Sequence, residues 1–133
     1  MNTKPNTKSN TKPSTKEKLF FQISCGDKTI AQRASLADTF MERALGLMFS
    51  KDLGDRDALI IEPTNSIHTF FMNYPIDVIF INRDHKVVKV FKKLKPWRMT
   101  RMYFTASKAI ELMGGTLMSD IQPGEKLEIK CIS

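Results

Sequence analysis

The chain has 133 residues, 41% of them hydrophobic, and a formal net charge of +7. That length suits one globular domain with some excess polar sequence, and no apolar run reaches the ~18 residues of a transmembrane helix. The two cysteines stand 106 positions apart with no Cys-x-x-Cys, which points to neither a zinc site nor a disulfide framework.

The charge is unevenly spread. Residues 1–18 hold five lysines against Glu17, a contribution of +4, and the remaining chain carries only +3. The stretch NTKP NTKS NTKP STKE repeats every four residues and has no large apolar side chain after Met1. It cannot bury enough surface to offset the ~1–2 kcal/mol per residue that backbone ordering costs, so residues 1–17 are expected to be disordered and 18–133 to form one β domain. Lysine at every fourth position is a low charge density and no aromatic residue is present for stacking, so a solubilising leader is preferred over an arm for nucleic acid or membrane. The N-terminus also lacks the apolar core of a secretory signal. A cytoplasmic location is expected for the chain as it stands, and an exported one if a signal peptide has been removed.

The first predicted strand is LFFQISC (19–25), which ends at the turn pair Gly26-Asp27. A second strand runs over 28–37. The period then changes: Phe40, Ala44, Leu47 and Met48 recur at helical spacing behind Thr39, whose partner Glu42 completes a capping box, so a short helix is predicted near 39–48. Gly46 suits a backbone of positive φ, and 50–57 reads as a loop. Strands follow at 58–62, 66–72, 76–82 and 86–94, with connections short enough for antiparallel pairing. Segment 107–113 fits a strand or a short helix, and a last strand occupies 126–132. Cys25 and Cys131 fall on apolar strand faces, where buried thiols are preferred over a disulfide unless the terminal strands prove to be neighbours. Many short strands with frequent turns and one helix define a mainly β domain, a small β-sandwich or barrel. There is no Gly-rich phosphate loop, and no cofactor is implied.

The most apolar stretch, IHTFFMNYPIDVIFI (67–81), contains His68, Thr69 and Asp77. If the Asn73-Tyr74-Pro75 link joins two strands with two or four loop residues, His68 lies within diagonal reach of Asp77, and the carboxylate could orient the imidazole. With three loop residues the two side chains face opposite ways. Even a dyad lacks a nucleophile, since Ser66, Thr69 and Ser107 have no motif around them. A metal site would need further ligands, and His85 sits in a turn at the far end of its hairpin. The structural reading makes His68 an imidazole bonded to backbone and Asp77 a carboxylate accepting backbone amides near the turn at 73–75. Arg43 can reach a carboxylate such as Asp77 or a ligand anion. Among the eight methionines, Met41, Met48 and Met72 suit gap-filling in a core more than copper ligation.

Residues 86–101 hold seven Lys or Arg and no acid, with Trp97 inside and Tyr103 beside. Lys92, Lys93, Trp97 and Arg98 are thereby candidates for nucleic-acid contact, although a solvated or lysine-protected edge strand explains the pattern more simply.

Three blocks, RALGLMF (43–49), IHTFFMNYPIDVIFIN (67–82) and AIELMGG…IQPGEKLEI (109–129), resemble the domain of unknown function 192 family, also catalogued as uncharacterised protein family 0127. The likeness spans about 28–130. It implies a compact β-sandwich or barrel of jelly-roll character with a short helix, and little about activity. The family's recurrent polar residues fall on Arg43, His68, Thr69 and Asp77, with Gly46, Met48, Met72 and Gly115 beside them. Asn73 stands where a basic residue is common, Gly124-Glu125 replaces the late Gly-Asp, and many members are exported. The expectation is therefore a monomeric, uncharacterised β domain with a non-catalytic ligand-binding or accessory role. Its candidate site is Arg43, Met48, His68, Thr69, Met72 and Asp77, and its partner a small ligand or another protein. A hydrolase or metal-dependent enzyme using His68 and Asp77, and a nucleic-acid binder using 86–101, are the other readings.

Overall fold

The computed structural model describes residues 19–48, 51–117 and 120–132; the tail expected over 1–17 lies outside them. The strands are β1 (Phe21–Cys25), β2 (Lys28–Ala37), β3 (Ala58–Ile61), β4 (Ile76–Ile81), β5 (Val87–Leu94), β6 (Lys108–Met113) and β7 (Glu128–Cys131), with one helix, α1 (Phe40–Leu45). They form a single sheet in the order β5-β4-β6-β3-β2-β1-β7. Its two end strands approach each other. The Val87 amide donates to the Glu125 carbonyl, the Leu127 amide donates to the His85 carbonyl, each at 2.8 Å, and Lys86 pairs with Lys126. The sheet thus curls toward closure, giving the mainly β, barrel-like body that the short strands predict.

Curling makes two different faces. On the inner one, Ile79 and Ile81 of β4 pack with Ile23, Ala34, Ile60 and Ile110. On the outer one, Ile76, Val78 and Phe80 pack with Leu47, Ile61, Ile67 and Met72. All six residues of β4 are buried, which is why its sequence is apolar at every position but Asp77 rather than alternating. Full burial of Phe80 alone contributes on the order of 2 kcal/mol. The end strands β5 and β7 alternate or stay polar because one side of each meets water.

The connection between β2 and β3 carries α1 across the outer face, and these two strands pair in parallel, Ala34 opposite Ala58. The capping box is present: the Glu42 amide donates to Thr39 Oγ1 at 3.1 Å, and the Thr39 amide donates to the Glu42 carboxylate at 3.2 Å. The helix is shorter than the pattern over 39–48, because Gly46 turns out of it at φ 49° and sends Leu47 into the outer core. Segment 108–113 is strand rather than helix.

The strand expected at 66–72 does not form. Residues 65–69 instead run beside 98–103, joined by amides of Thr69, Thr100 and Tyr103 donating to the carbonyls of Arg98, Ile67 and Asn65. Side chains intrude on this ribbon. Thr100 Oγ1 accepts from the Ile67 amide at 3.0 Å and His68 Nδ1 from the Phe70 amide at 3.2 Å, so local side-chain bonds replace a regular ladder. Phe71 then turns the chain with φ 64°.

The terminal strands β1 and β7 are neighbours, yet no disulfide joins them: Cys131 lies opposite Phe21, while Cys25 is at the other end of β1. Four strand residues span ~13 Å, well beyond the ~4.4–6.8 Å between bridged Cα atoms. Cys25 is buried, and burial, with Glu125 adding, raises its thiol above the ordinary range; Cys131 is exposed, contrary to the expectation that both would be covered.

The β4 and β6 ends are locked by close backbone contact. The Gly114 amide donates to the Pro75 carbonyl at 2.9 Å, and a Cβ on Gly114 would stand 2.8 Å from that oxygen. Gly114→Ala is therefore expected to cost on the order of 2 kcal/mol. Chemical denaturation checks this; an unchanged midpoint would show that the turn can relax.

Candidate functional site

A cavity of about 100 Å³ lies on the outer face, where the end of α1 meets the 64–72 segment. Its lining includes Arg43, Met48, Ile61, His68, Met72 and Glu111. Four of the six residues singled out from the sequence are thus brought together: Arg43, Met48, His68 and Met72. Thr69 and Asp77 are not in the lining.

Arg43 reaches the site from the last turn of α1, where its guanidinium Nη1 donates to the Asp38 carbonyl at 2.9 Å. This uses one of five N–H donors and steadies the group. Since His68 Nδ1 accepts from the Phe70 amide, the neutral imidazole carries its proton on Nε2, as a donor. The ring is held further by stacking on Phe70, with centroids 5.0 Å apart. Met72 is buried in the outer core and Met48 half-buried beside it.

Glu111 completes the lining, and the sequence pattern does not single it out. It lies in β6 opposite Leu59 of β3 and Val78 of β4, so its side chain points to the outer face with theirs. It is buried, and its Oε1 has no hydrogen-bond partner among the described residues. Burial drives its pKa up to about 8, with Arg56 pulling the other way, so at neutral pH the carboxyl is mostly protonated. Oε1 stands against Gly46, where a Cβ would lie 4.0 Å away. The signal for Glu111 in the sequence is faint: one acid inside the strand KAIELM.

Asp77 has a different occupation. It faces the inner side with Ile79, fully buried, and its carboxylate gathers three backbone amides. Oδ1 accepts from Lys93 at 2.8 Å and from Gly115 at 3.2 Å; Oδ2 accepts from Gly115 at 3.1 Å and from Leu117 at 2.8 Å. The carboxylate therefore ties β4 to the end of β5 and to the turn after β6, and it forms no dyad with His68. Thr69 is likewise buried and committed to backbone: its hydroxyl donates to the Lys95 carbonyl at 2.6 Å and accepts from the Arg98 amide at 2.8 Å.

The four residues considered for nucleic-acid contact are all exposed, Trp97 to 57%. Trp97 rests against Phe71, with ring centroids 4.7 Å apart, and continues a row of rings through Phe70 to His68.

The family model of an uncharacterized ACR, DUF192, matches residues 22–129. The chain belongs to this family. It is 42% identical over 103 residues to a UPF0127 protein of Pyrococcus horikoshii, covering 70% of this chain and 84% of the relative. It is 36% identical over 108 residues to a UPF0127 protein of Pyrococcus furiosus, covering 76% and 90%. Among solved structures, a protein of unknown function from Novosphingobium aromaticivorans matches with a TM-score of 0.69 and 26% identity over 84% of either chain. A Sinorhizobium meliloti protein described as a candidate transcription regulator matches with a TM-score of 0.68 and 20% identity, over 84% of this chain and 93% of that one. The latter likeness is one of fold. These DUF192 relatives are uncharacterised, so the chemistry has to be read from the residues themselves.

The two carboxyl groups generate opposite expectations. Asp77→Ala strips three amides of their acceptor and should destabilise the fold by about 2–4 kcal/mol in urea titration; a loss under 0.5 kcal/mol would contradict the clamp. Glu111 carries a raised pKa, so the folded state keeps a proton that the unfolded chain releases. Stability then falls as pH rises from about 4.5 to about 8 and levels off above. Glu111→Gln removes that slope and gains on the order of 3 kcal/mol relative to the parent by pH 7.5. Parallel pH-stability curves for the two proteins would refute this.

Proposed function

We propose that this DUF192 protein is a non-catalytic small-ligand-binding module and that its site is the cavity between α1 and the 64–72 segment. The observation that supports this reading is the Glu111 carboxyl: buried, without a partner for Oε1 among the described residues, and part of the lining of a cavity that Arg43 and His68 also line. A buried polar atom without a partner costs roughly 1–3 kcal/mol, a cost that a ligand supplying the missing hydrogen bond would offset. Concave, mostly apolar cavities with a few convergent polar groups are the usual form of such sites. The enzyme reading lacks its proposed pair, since the Asp77 oxygens are engaged by amides of Lys93, Gly115 and Leu117 on the other face.

Size limits the ligand. A cavity of ~150 Å³ in an engineered protein holds benzene, so about 100 Å³ suits a molecule of roughly four to six non-hydrogen atoms. Methyl NMR of the eight methionines during titration with a mixed panel of such carboxylates, amines, amides and alcohols tests the reading. Perturbation of Met48 and Met72 by some member is expected, together with its loss in a folded His68→Ala variant. If no compound moves either signal, the cavity is only a packing defect.

The exposed Trp97, with exposed Lys92, Lys93 and Arg98 close to it in sequence, favours a second reading as a polyanion surface. Retention on single-stranded DNA that falls steeply with salt, and that weakens after Trp97→Ala, is the expected outcome; salt-independent or absent retention removes it.

A further inference from the structure

We propose that the cavity selects a small monocarboxylate: its anionic oxygens meet the Arg43 guanidinium and the His68 Nε2–H, the Glu111 carboxyl donates its own proton to the same head group, and a short alkyl tail lies against Met48, Ile61 and Met72. This rests on the ligand-binding reading above and goes further by naming the chemical class.

Arg43 is a permanent cation that, among the described residues, commits one of its five N–H groups, to the Asp38 carbonyl. His68 is set as an Nε2–H donor by the Phe70 amide on Nδ1. For Nε2 to ligate a soft metal beside Met48 and Met72, the proton would have to move to Nδ1 and face that amide N–H, so the backbone works against metal ligation. Glu111 in its neutral form is the third donor. The lining residues thus include one permanent cation and several N–H or O–H donors, which matches a group of one negative charge and two acceptor oxygens. A small amine would instead stand beside the Arg43 cation, and a neutral amide would leave that cation without a counter-charge. The rest of the wall is mixed: Leu45, Leu47, Ile61 and Ile67 add to the two methionines, while Thr64 and Ser66 also line it, the Thr64 hydroxyl already donating to the Ser66 carbonyl. A bulky or doubly charged anion fits neither the volume nor the single cation.

The protonation of Glu111 makes the proposal sharp. The charged or titratable groups near it are Arg56 on the loop before β3, Arg43 on α1 and His68 on the 64–72 segment. Its strand neighbours Leu59 and Val78 bring none. Arginine does not titrate near neutrality. Above pH 8 the change in the lining is therefore ionisation of Glu111, which replaces a donor by a negative charge aimed at the bound anion.

Isothermal titration of the full chain with sodium propionate, with propylamine hydrochloride, propionamide and sodium chloride as comparisons, tests this. Propionate is expected to bind in preference to the other three. Its dissociation constant should rise about tenfold between pH 7 and pH 9, as the protonated fraction of Glu111 falls. Glu111→Gln, which can donate but cannot ionise, should bind more weakly than the parent at pH 6 and lose the pH dependence. Arg43→Gln should weaken binding at least tenfold, with Arg43→Lys partly restoring it; should either variant unfold, the pH profile of the parent decides alone. Preference for propylamine or propionamide, or propionate affinity that is flat through pH 8, overturns the monocarboxylate class while leaving a binding cavity. Silence of Met48 and Met72 toward all four compounds and the mixed panel overturns both.

Discussion

The Asp77 carboxylate holds the strand register on which the remaining structure depends. It accepts amides of Lys93, Gly115 and Leu117, so the start of β4 is tied at once to the end of β5 and to the turn beyond β6. The Pro75–Gly114 backbone contact holds the same corner from outside. Because side chains alternate along a strand, a slip of one residue between β4 and β6 would exchange the faces of every β6 side chain. Ile110 and Leu112 would leave the inner core and Glu111 would enter it. The carboxylate on the inner face therefore determines that the other carboxyl opens on the outer one.

The two faces then follow different rules. The inner face is closed by the approach of β5 to β7 and filled with branched aliphatic side chains, where a gap would cost stability directly. The outer face is covered by α1 and by the irregular ribbon of 65–69 with 98–103. Both are short, and both end at residues whose backbone turns away, Gly46 at φ 49° and Phe71 at φ 64°. Cover made of such pieces does not pack as tightly as strand against strand. The space left between them is the cavity, and the residues that frame it are those at the ends of the covering pieces: Arg43 and Met48 from one, His68 and Met72 from the other.

What could be read from the sequence follows from how local each cause is. The capping box needs only Thr39 and Glu42, three positions apart, and a strand edge needs only period-two alternation; both were legible. The segment 66–72 shows the limit of alternation, since the same pattern suits a ribbon in which the Thr100 hydroxyl and the His68 imidazole take up backbone amides. Asp77 could be recognised as an acceptor of amides, but its partners are 16, 38 and 40 positions away, so nothing nearby names them. That separation also explains why a pairing with His68, nine positions away in sequence, looked possible. Glu111 was the least legible. Its burial and its missing partner arise from the neighbours β3 and β4 and from the register, none of which KAIELM contains.

Two buried carboxyl groups on neighbouring strands of one sheet have thus been treated in contrary ways. Around Asp77 the backbone supplies three donors from two separate segments, which is what a buried carboxylate requires if it is to stabilise rather than cost. Around Glu111 the described residues supply no donor to Oε1, and the nearby Arg56 guanidinium is turned to the Leu53 carbonyl and the Ser35 hydroxyl instead. A Leu or Met at 111 would carry no carboxyl desolvation penalty, so stability alone does not explain an acid there. That local cost, beside a cavity that Arg43 and an oriented imidazole also line, is the physical ground on which the proposed ligand site rests.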